Sequence, residues 1–381
     1  MTDPCIDLLQ QLVAINSVNP SLVPGAPGER EVAAVIADHM RSLGLAVHVQ
    51  DAEPNRPNVI GVLDTGVTGP SMMFCGHTDT VGVEGMAAPF TPAIRDGNLY
   101  GRGSQDMKGG VAAMIDAARL VRDRAPARGR LILAAVIDEE FGSLGAEALV
   151  REWTADAAVV TEPTDLQIAV GHKGFAWFEV ETSGRAAHGS RPSEGIDAIL
   201  RMGRVLTALE ALDRELQARP PHPLMGTASL HASIIEGGRE PSVYPDRCRL
   251  QMERRTIAGE SARDVDAEMR RLLDRLSEVD PGFKGSARLV FSRPPYETPA
   301  RHAVIEMLQS QAALRGVRAD LCGMTFWTDA ALLGEAGIPS VLFGPGGAGL
   351  HSTEKYIRLE DVLACRDVLA GLAVAWMNQP G

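Results

Sequence analysis

The sequence Ser71-Met72-Met73-Phe74-Cys75-Gly76-His77-Thr78-Asp79-Thr80-Val81 joins a short apolar run to a histidine and an aspartate. The apolar run predicts a buried strand that ends near Gly76. Residues i and i+2 of an extended chain point to the same face, so the carboxylate of Asp79 is expected to reach one ring nitrogen of His77. The other nitrogen is then free for a metal. Taken alone, the pair is more simply explained as a strand-end histidine that hydrogen-bonds to a nearby aspartate.

Length and composition describe a globular protein with more than one domain. The chain has 381 residues, of which 45% are hydrophobic, and it carries a net charge of -12. At this length two domains are expected. The negative charge, together with the lack of any basic run, argues against nucleic-acid binding.

The cysteines and the first residues favour a reducing compartment. The five cysteines are scattered and include no Cys-x-x-Cys pair, which fits neither a disulfide framework nor a thiolate zinc site. The first residues are acidic and lack the pattern of a signal peptide. No apolar stretch is long enough to span a bilayer. We therefore expect a cytoplasmic protein that binds neither nucleic acid nor a membrane.

Apolar runs that alternate with amphipathic segments predict an α/β fold. The runs lack internal alternation, which is typical of strands buried on both faces. We expect a largely parallel central sheet flanked by helices. The predicted buried strands lie at 72–75, 131–137, 157–160 and 339–343, and the predicted helices at 111–122, 144–153 and 359–376.

The pattern of polar and apolar residues is different between about residue 173 and residue 292. Strands that alternate polar and apolar residues are predicted near 175–181, 228–236, 247–256 and 287–291, with helices at 194–217 and 261–276. This pattern predicts an antiparallel sheet with one covered face. The simplest domain organisation that we predict is a discontinuous α/β domain, residues 1–172 and 293–381. An α+β domain is inserted at residues 173–292.

Acidic residues and histidines follow the predicted buried strands. They are His77, Asp79, Glu139, Glu140, Glu162 and His351, while Asp106 lies in a glycine-bounded loop before a helix. Open α/β sheets bind ligands at the carboxyl ends of their strands. The acidic triplet at 138–140 is by itself explained equally well as a solvated turn.

Several carboxylates placed together repel one another unless cations neutralise them. Arg102 and Lys108 are the few basic residues in these segments, so divalent cations are the expected counter-charge. Two histidines and three or four carboxylates, without cysteine, suit a pair of Zn²⁺ or similar ions better than one closed structural zinc. Paired metals are a known device for hydrolysis.

Five motifs make the chain similar to a known enzyme family. They are Gly76-His77-Thr78-Asp79-Thr80-Val81, Gly101-Arg102-Gly103-Ser104-Gln105-Asp106-Met107-Lys108-Gly109-Gly110, Asp138-Glu139-Glu140-Phe141-Gly142-Ser143, Glu162-Pro163-Thr164 and His351. In this order they closely resemble the family of acetylornithine deacetylase, succinyl-diaminopimelate desuccinylase, glutamate carboxypeptidase and aminoacylase. The resemblance covers nearly the whole chain and implies a co-catalytic metalloaminoacylase or peptidase.

The resemblance also implies which residues bind two metal ions. Asp106 is expected to bridge both ions. His77 and Glu162 would complete one site, and Glu140 and His351 the other. Zn²⁺ is the default metal, with Co²⁺ or Mn²⁺ as alternatives.

Two further roles follow from the same motifs. Glu139 is expected to be the general base, which takes a proton from water and returns it to the leaving amine. Asp79 would orient His77. The resemblance also implies a cis peptide bond after Asp106.

Residues outside the metal motifs are expected to contact the substrate. His188 resembles the histidine that reaches the partner subunit's active site and stabilises the oxyanion, and Arg255 resembles the arginine that binds the substrate carboxylate. Without the resemblance, they would be a loop histidine and an exposed strand arginine. Ser242 stands where the family often has asparagine, which leaves the substrate's polar contacts open. Gly346 and Gly347 lie in a loop that is either a carboxylate-binding turn or a simple turn.

The leading functional prediction is hydrolysis of the amide bond of N-acyl amino acids, with acetylornithine-like substrates favoured. A carboxypeptidase or dipeptidase with the same centre is the alternative. A non-catalytic ligand-binding protein is a third hypothesis, although the sequence retains every expected ligand and the base. The resemblance also implies a homodimer formed through the inserted domain, whose strand edges need partners.

Overall fold

The computed structural model describes residues 3–299, 301–350 and 352–379. His351, one of the predicted metal ligands, lies outside the described residues. The chain divides into two compact units. The first unit contains the residues up to 170, residues 298–322 and the residues from 328 onward, and the second contains residues 171–297 and 323–327.

The helices are α1 Pro4–Ala14, α2 Arg30–Ser42, α3 Gly109–Arg124, α4 Leu144–Glu152, α5 Ala198–Ala218, α6 Ala262–Val279, α7 Ala303–Ala313, α8 Ala330–Glu335 and α9 Leu359–Met377. None of the described helices has the length and apolar character needed to cross a membrane.

The strands are β1 Ala46–Glu53, β2 Arg56–Asp64, β3 Ser71–His77, β4 Ala93–Arg95, β5 Asn98–Tyr100, β6 Arg130–Val136, β7 Ala157–Val160, β8 Ile168–His172, β9 Gly174–Ser183, β10 Ser229–Gly237, β11 Arg247–Thr256, β12 Gly285–Arg293, β13 Tyr296–Glu297, β14 Leu321–Met324, β15 Ser340–Leu342, β16 Gly347–Ala348 and β17 Tyr356–Arg358.

The first residue of α5 shows where the pattern of apolar residues misled the prediction. The sequence predicted a helix from Glu194, but α5 begins at Ala198. The side chain of Asp197 accepts a hydrogen bond from the backbone N–H of Leu200 and so caps the helix. Ile196 exchanges backbone hydrogen bonds with Arg185 instead, which holds this residue in an extended conformation.

A mixed sheet forms the centre of the first unit. Strand β3 lies in the middle, parallel to β6 on one side and to β7 on the other, and β15 continues the parallel arrangement beside β7. Strands β2 and β1 extend the sheet beyond β6 in antiparallel pairing. All seven residues of β3 are buried. The predicted α/β class with a largely parallel central sheet is confirmed, and the carboxyl ends of β3, β6 and β7 meet at one edge.

The second unit contains an antiparallel sheet in the order β10-β11-β9-β12. Burial alternates along β11, and its buried residues pack with those of α5 and α6 in one apolar core. Helix α6 begins with a capping box, in which Ser261 and Asp264 satisfy each other's backbone N–H groups. The predicted antiparallel α+β architecture is confirmed.

A small antiparallel sheet in the first unit was not predicted. It has the order β16-β17-β5-β4, and it contains segments that the sequence indicated only as loops. Its strands have two or three residues each. Strands this short carry too few residues to show a periodic pattern.

His172 is a fully buried histidine in the second unit. Its Nδ1 lies 3.0 Å from the carbonyl oxygen of Lys173, and its ring packs 5.9 Å from that of Tyr296 and 6.1 Å from that of Trp327. Its Nε2 has no hydrogen-bond partner among the described residues. Burial lowers the pKa of His172 to about 4, and the hydrogen bond to the carbonyl oxygen of Lys173 opposes this lowering only in part.

The buried His172 predicts a pH dependence of stability. A histidine whose pKa is lower in the folded than in the unfolded state stabilises the fold above its unfolded pKa of about 6.5. This contribution, on the order of 3 kcal/mol, is lost as the pH falls from about 6.5 toward the folded value. We expect His172→Phe to show a smaller loss of unfolding free energy over this range than the wild type in chemical denaturation. Equal losses in the two proteins would contradict the prediction.

Candidate metal centre

Side chains from the ends of β3, β6 and β7, and from the turn before α3, meet around the imidazole of His77. Its Nε2 lies 3.1 Å from Oδ1 of Asp106, 3.8 Å from Oε2 of Glu139 and 3.9 Å from Oε1 of Glu162. Donor atoms of His77, Glu139 and Glu162 lie within 4.8 Å of one another, and so do donor atoms of His77, Asp106 and Glu140. One buried nitrogen therefore faces carboxylates from three separate segments of the chain.

Asp106 is placed by an irregular turn at residues 104–108, whose Asp106–Met107 peptide bond is cis as the resemblance implied. The backbone N–H of His77 donates to Sδ of Met107 at 3.2 Å, which links this turn to β3. A Cβ atom at Gly110 would lie only 2.0 Å from the carbonyl oxygen of Thr161. Glycine is therefore required for α3 to start against the end of β7.

Asp79 connects His77 to the segment that carries Glu139 and Glu140. Its carboxylate accepts hydrogen bonds from the backbone N–H groups of Glu139 and Glu140, each at 3.1 Å, and from the side chain of Asn19 at 2.8 Å. Nδ1 of His77 lies 3.3 Å from Oδ1 of Asp79 and 3.0 Å from the carbonyl oxygen of Asp79. Burial raises the pKa of Asp79, but these donors lower it by more, so its pKa lies below the usual range.

The charges of the cluster are not balanced by its own groups. Burial raises the pKa of Glu139 well above its usual range, and the charge of Glu162 raises it further. Burial also raises the pKa of Glu162, where His77 opposes the rise and Asp106 adds to it. Burial lowers the pKa of His77, but the bonds to Asp106 and Asp79 outweigh it, so this pKa lies well above its usual range. A set of oxygen and imidazole donors with excess negative charge fits a divalent cation.

Buried basic residues border the cluster. Nζ of Lys355 lies 3.8 Å from Oδ2 of Asp106, and the side chain of Lys355 is buried. Nζ of Lys108 donates to the carbonyl oxygens of Leu12 and Ile15, each at 2.8 Å, at the end of α1. The sequence did not single out Lys355, because a lysine in a charged segment usually belongs to the surface. No spacing signal in the chain marks it.

Comparison with known proteins identifies the family. Residues 73–375 match the model of peptidase family M20/M25/M40. The chain belongs to this family. It is therefore a metal-dependent amidohydrolase, as the sequence predicted.

Relatives of this M20 chain extend over nearly its full length. An acetylornithine deacetylase of Myxococcus xanthus is 31% identical and covers 95% of this chain and 94% of its own. The N-formyl-4-amino-5-aminomethyl-2-methylpyrimidine deformylase of Bacillus subtilis is 29% identical, covering 93% and 91%. The structure of a dinuclear metal-binding M20 peptidase from Bacillus subtilis has the same fold, with a TM-score of 0.75 at 18% identity, covering 98% and 97%.

Three of the predicted substrate contacts in this M20 chain lie in the second unit. Arg255 lies on β11, where it donates to Glu253 and its guanidinium sits 5.5 Å from the ring centroid of Phe175. His188 lies in an exposed loop with Nδ1 2.8 Å from Oγ of Ser190. The carbonyl oxygen of Ser242 accepts a hydrogen bond from the backbone N–H of Gly189 at 2.7 Å, within the same loop region.

In the glycine loop of the first unit, Gly346 and Gly347 make contacts with other residues of the same unit. The N–H of Gly346 donates to a carboxylate oxygen of Asp361 at 3.1 Å. Gly347 pairs with Ile357 in the small sheet. This M20 chain therefore already satisfies the N–H group of Gly346 with one of its own carboxylates.

Metal removal is expected to destabilise the first unit, because the crowded carboxylates then lose their counter-charge. Zn²⁺ at one hundred times its dissociation constant should add about 2.7 kcal/mol per site through binding to the folded state alone. We expect chelator-treated protein to melt at a lower temperature and added Zn²⁺ to reverse this shift. The melting temperature is followed by circular dichroism.

Two carboxylate variants sharpen this experiment. Asp106→Asn should reduce the zinc-induced rise in melting temperature, while Asp123→Asn, an exposed carboxylate on α3, should leave it unchanged. A wild-type melting temperature that is the same with chelator and with Zn²⁺ would contradict a metal centre at this position.

Proposed function

We propose that this chain hydrolyses the amide bond of N-acyl amino acids, with acetylornithine-like compounds as the favoured substrates. The observation that carries the proposal is the placement of Glu139 in the donor cluster, with Oε2 3.8 Å from the Nε2 of His77. A carboxylate beside a metal-binding cluster is positioned to move a proton between water and a leaving group. The likeness to an acetylornithine deacetylase supports the substrate class.

The donor set supports two metal ions for this function. We propose that Asp106 would contribute to both sites, that His77 and Glu162 would complete one, and that Glu140 and His351 would complete the other. Zn²⁺ suits the mixed nitrogen and oxygen donors, and Co²⁺ or Mn²⁺ are alternatives. When bound, the ions would polarise the amide carbonyl and acidify water.

The residues of the chain perform the proton transfers. Glu139 takes a proton from the attacking water while the water oxygen bonds to the amide carbon. Glu139 then returns that proton to the amide nitrogen as the carbon–nitrogen bond breaks. Asp79 holds His77 and, through two backbone N–H groups, the segment that carries the base. The products are a carboxylic acid and an amine, and transfer of the acid's proton to the amine gives a carboxylate and an ammonium group.

We propose that residues of the second unit recognise the substrate. Arg255 binds the substrate carboxylate, Ser242 contributes a polar contact, and His188 of the partner subunit stabilises the developing oxyanion. On this proposal, residues 1–172 and 293–381 form the catalytic domain, and residues 173–292 form the lid and dimerisation domain.

A panel of substrates tests this proposal against the alternative of a carboxypeptidase or dipeptidase. N-acetyl amino acids, N-formyl amines and dipeptides are incubated with metal-reconstituted protein, and the free amine is measured. Turnover of N-acetyl amino acids above that of dipeptides supports the deacylase. The reverse order would replace it with the peptidase. Formylated amines are included because one relative is a deformylase.

The Glu139→Gln variant tests the role of the base. The amide side chain cannot accept the proton, so turnover should fall by roughly 10²- to 10⁴-fold. The zinc-induced rise in melting temperature should persist, which separates loss of the base from loss of the metal. Glu147→Gln, on the solvent side of α4, is the matched control and should keep full turnover. Full activity in Glu139→Gln would disprove the assigned role.

The surface of the second unit supports a homodimer. Strand β10 pairs only with β11 among the described strands, and it exposes about half of the side chains of Ile234 and Ile235. On α5, Leu200 is 70% exposed, and Ile199 lies beside Gly237 at the end of β10. An unpaired edge flanked by exposed apolar residues is typical of a surface that another chain covers. We propose that a second copy of the chain covers it.

The dimer is tested with Ile235→Asp, which places a charge on the proposed interface. We expect wild-type protein to sediment as a dimer and this variant as a monomer. Val279→Asp is the matched control, because Val279 is a highly exposed apolar residue on α6, away from β10, and should leave the dimer intact. A monomeric wild type would disprove the proposal.

We also propose that the protein works in the cytoplasm on a small N-acyl amino acid or short peptide. All five cysteines are free thiols, which suits a reducing compartment. Fractionation of cells that express the protein tests this location.

A further inference from the structure

We propose that Asn19, Arg56 and Asp138 are positioning residues of the hydrolytic centre, which fix Asp79 and thereby the orientation of both His77 and the segment that carries Glu139. The inference rests on the proposed function, since it adds residues to the same centre. None of the three residues is expected to touch metal or substrate.

Asn19 is the side chain that joins this group to the centre. Its Nδ2 donates to Oδ2 of Asp79 at 2.8 Å and to Oδ1 of Asp138 at 3.0 Å, and the residue is fully buried. Its Oδ1 accepts from the backbone N–H of Ser21 and from the guanidinium of Arg56. The amide therefore uses both its donor and its acceptor ends.

The backbone of Asn19 is fixed independently of its side chain. Its N–H donates to the carbonyl oxygen of Thr80 at 2.9 Å, and the N–H of Thr80 donates to the carbonyl oxygen of Ser17 at 3.0 Å. Oγ of Ser17 also donates to the carbonyl oxygen of Thr78 at 2.7 Å. The loop thus runs beside the segment that follows β3, and it carries the amide group to Asp79.

Arg56 binds Asn19 and Asp138 from the side away from Asp79. Its guanidinium donates to both carboxylate oxygens of Glu29, at 2.8 and 2.6 Å, to Glu53 at 2.8 Å and to Asp138 at 3.0 Å. The paired contact with Glu29 fixes the plane of the guanidinium. This anchors Asp138 and Asn19 to β2, which lies next to β6 in the sheet.

The backbone conformation of Asp138 determines how the chain enters Glu139, the proposed general base. Its φ of 66° lies in the left-handed region, which aspartate tolerates better than most residues. Its carbonyl oxygen accepts from the backbone N–H groups of Phe141 and Gly142, at 3.3 and 3.0 Å. The turn this forms directs the N–H groups of Glu139 and Glu140 at Asp79.

The chemistry of the group explains why an amide stands next to Asp79. Two carboxylates, those of Asp79 and Asp138, share one amide nitrogen as donor, and a cation at this position would neutralise Asp79. A neutral amide fixes the carboxylate in place and leaves its charge for His77. The cationic Arg56 does not contact Asp79; its guanidinium hydrogen-bonds to Asp138 and Glu29 instead.

Asn19→Asp is the most direct test, because it keeps the shape and replaces the shared donor with an acceptor that faces two carboxylates. We expect kcat to fall on the order of 10- to 100-fold with KM little changed, as for other residues that orient metal ligands. Zinc affinity of the chelator-stripped protein, measured by competition with a chromophoric chelator, should weaken by a similar factor. Asn19→Ser, which restores one donor, should recover part of both losses.

Arg56→Met and Arg366→Met form a matched pair that separates positioning from general stability. Arg366, like Arg56, binds three carboxylates: Asp3 at 2.9 Å, Asp116 at 3.3 Å and Asp367 at 2.8 Å. Both variants should lower the melting temperature, but only Arg56→Met should weaken zinc binding and kcat.

The two readouts also distinguish failure of the inference from failure of the proposed function. Zinc affinity tests the inference even if no acylated substrate is turned over. Wild-type zinc affinity in Asn19→Asp, or an equal loss in Arg366→Met, would overturn it. If Asn19→Asp does not fold, Asn19→Ala and Asn19→Ser give the same two measurements, and wild-type values in both would overturn it.

Discussion

The burial of several carboxylates at one edge of a parallel sheet is the constraint on which the rest of the first unit depends. Asp79 and Asp138 are fully buried, and Glu162 is nearly so. A buried charge is tolerated only when partners compensate for it. On one side, Asn19, Arg56 and backbone N–H groups provide that compensation. On the other side, the carboxylates face His77, where the proposed divalent cation would complete the balance.

Much of this arrangement follows from the sequence, because the carboxyl ends of parallel strands meet at one edge. Uninterrupted apolar runs indicated β3, β6 and β7, and the residues after them, His77, Glu139 and Glu162, lie together in the structure. The roles of these residues came from the resemblance to a family and not from periodicity. His351 belongs to the same prediction and lies outside the described residues.

Other parts of the site could not be predicted, since they depend on contacts between distant residues. Asn19 reaches Asp138 across 119 positions, and Arg56 reaches the same carboxylate across 82. Asn19 lies in a segment rich in proline, serine and glycine, which predicts only a loop. The buried Lys355 escaped notice for a similar reason: nothing in the local sequence shows that a lysine will be desolvated.

The order of the chain has a consequence for its synthesis. Strand β15 pairs with β7, and α9, the last helix, packs against α3 and β3. The parallel arrangement of the sheet that carries His77 is therefore complete only after residue 342 has been synthesised. The antiparallel sheet β10-β11-β9-β12 of the second unit is complete earlier, once Arg293 at the end of β12 has been made. Nascent chains are thus expected to expose the unfinished apolar sheet during translation, which is the stage at which chaperones act on such surfaces.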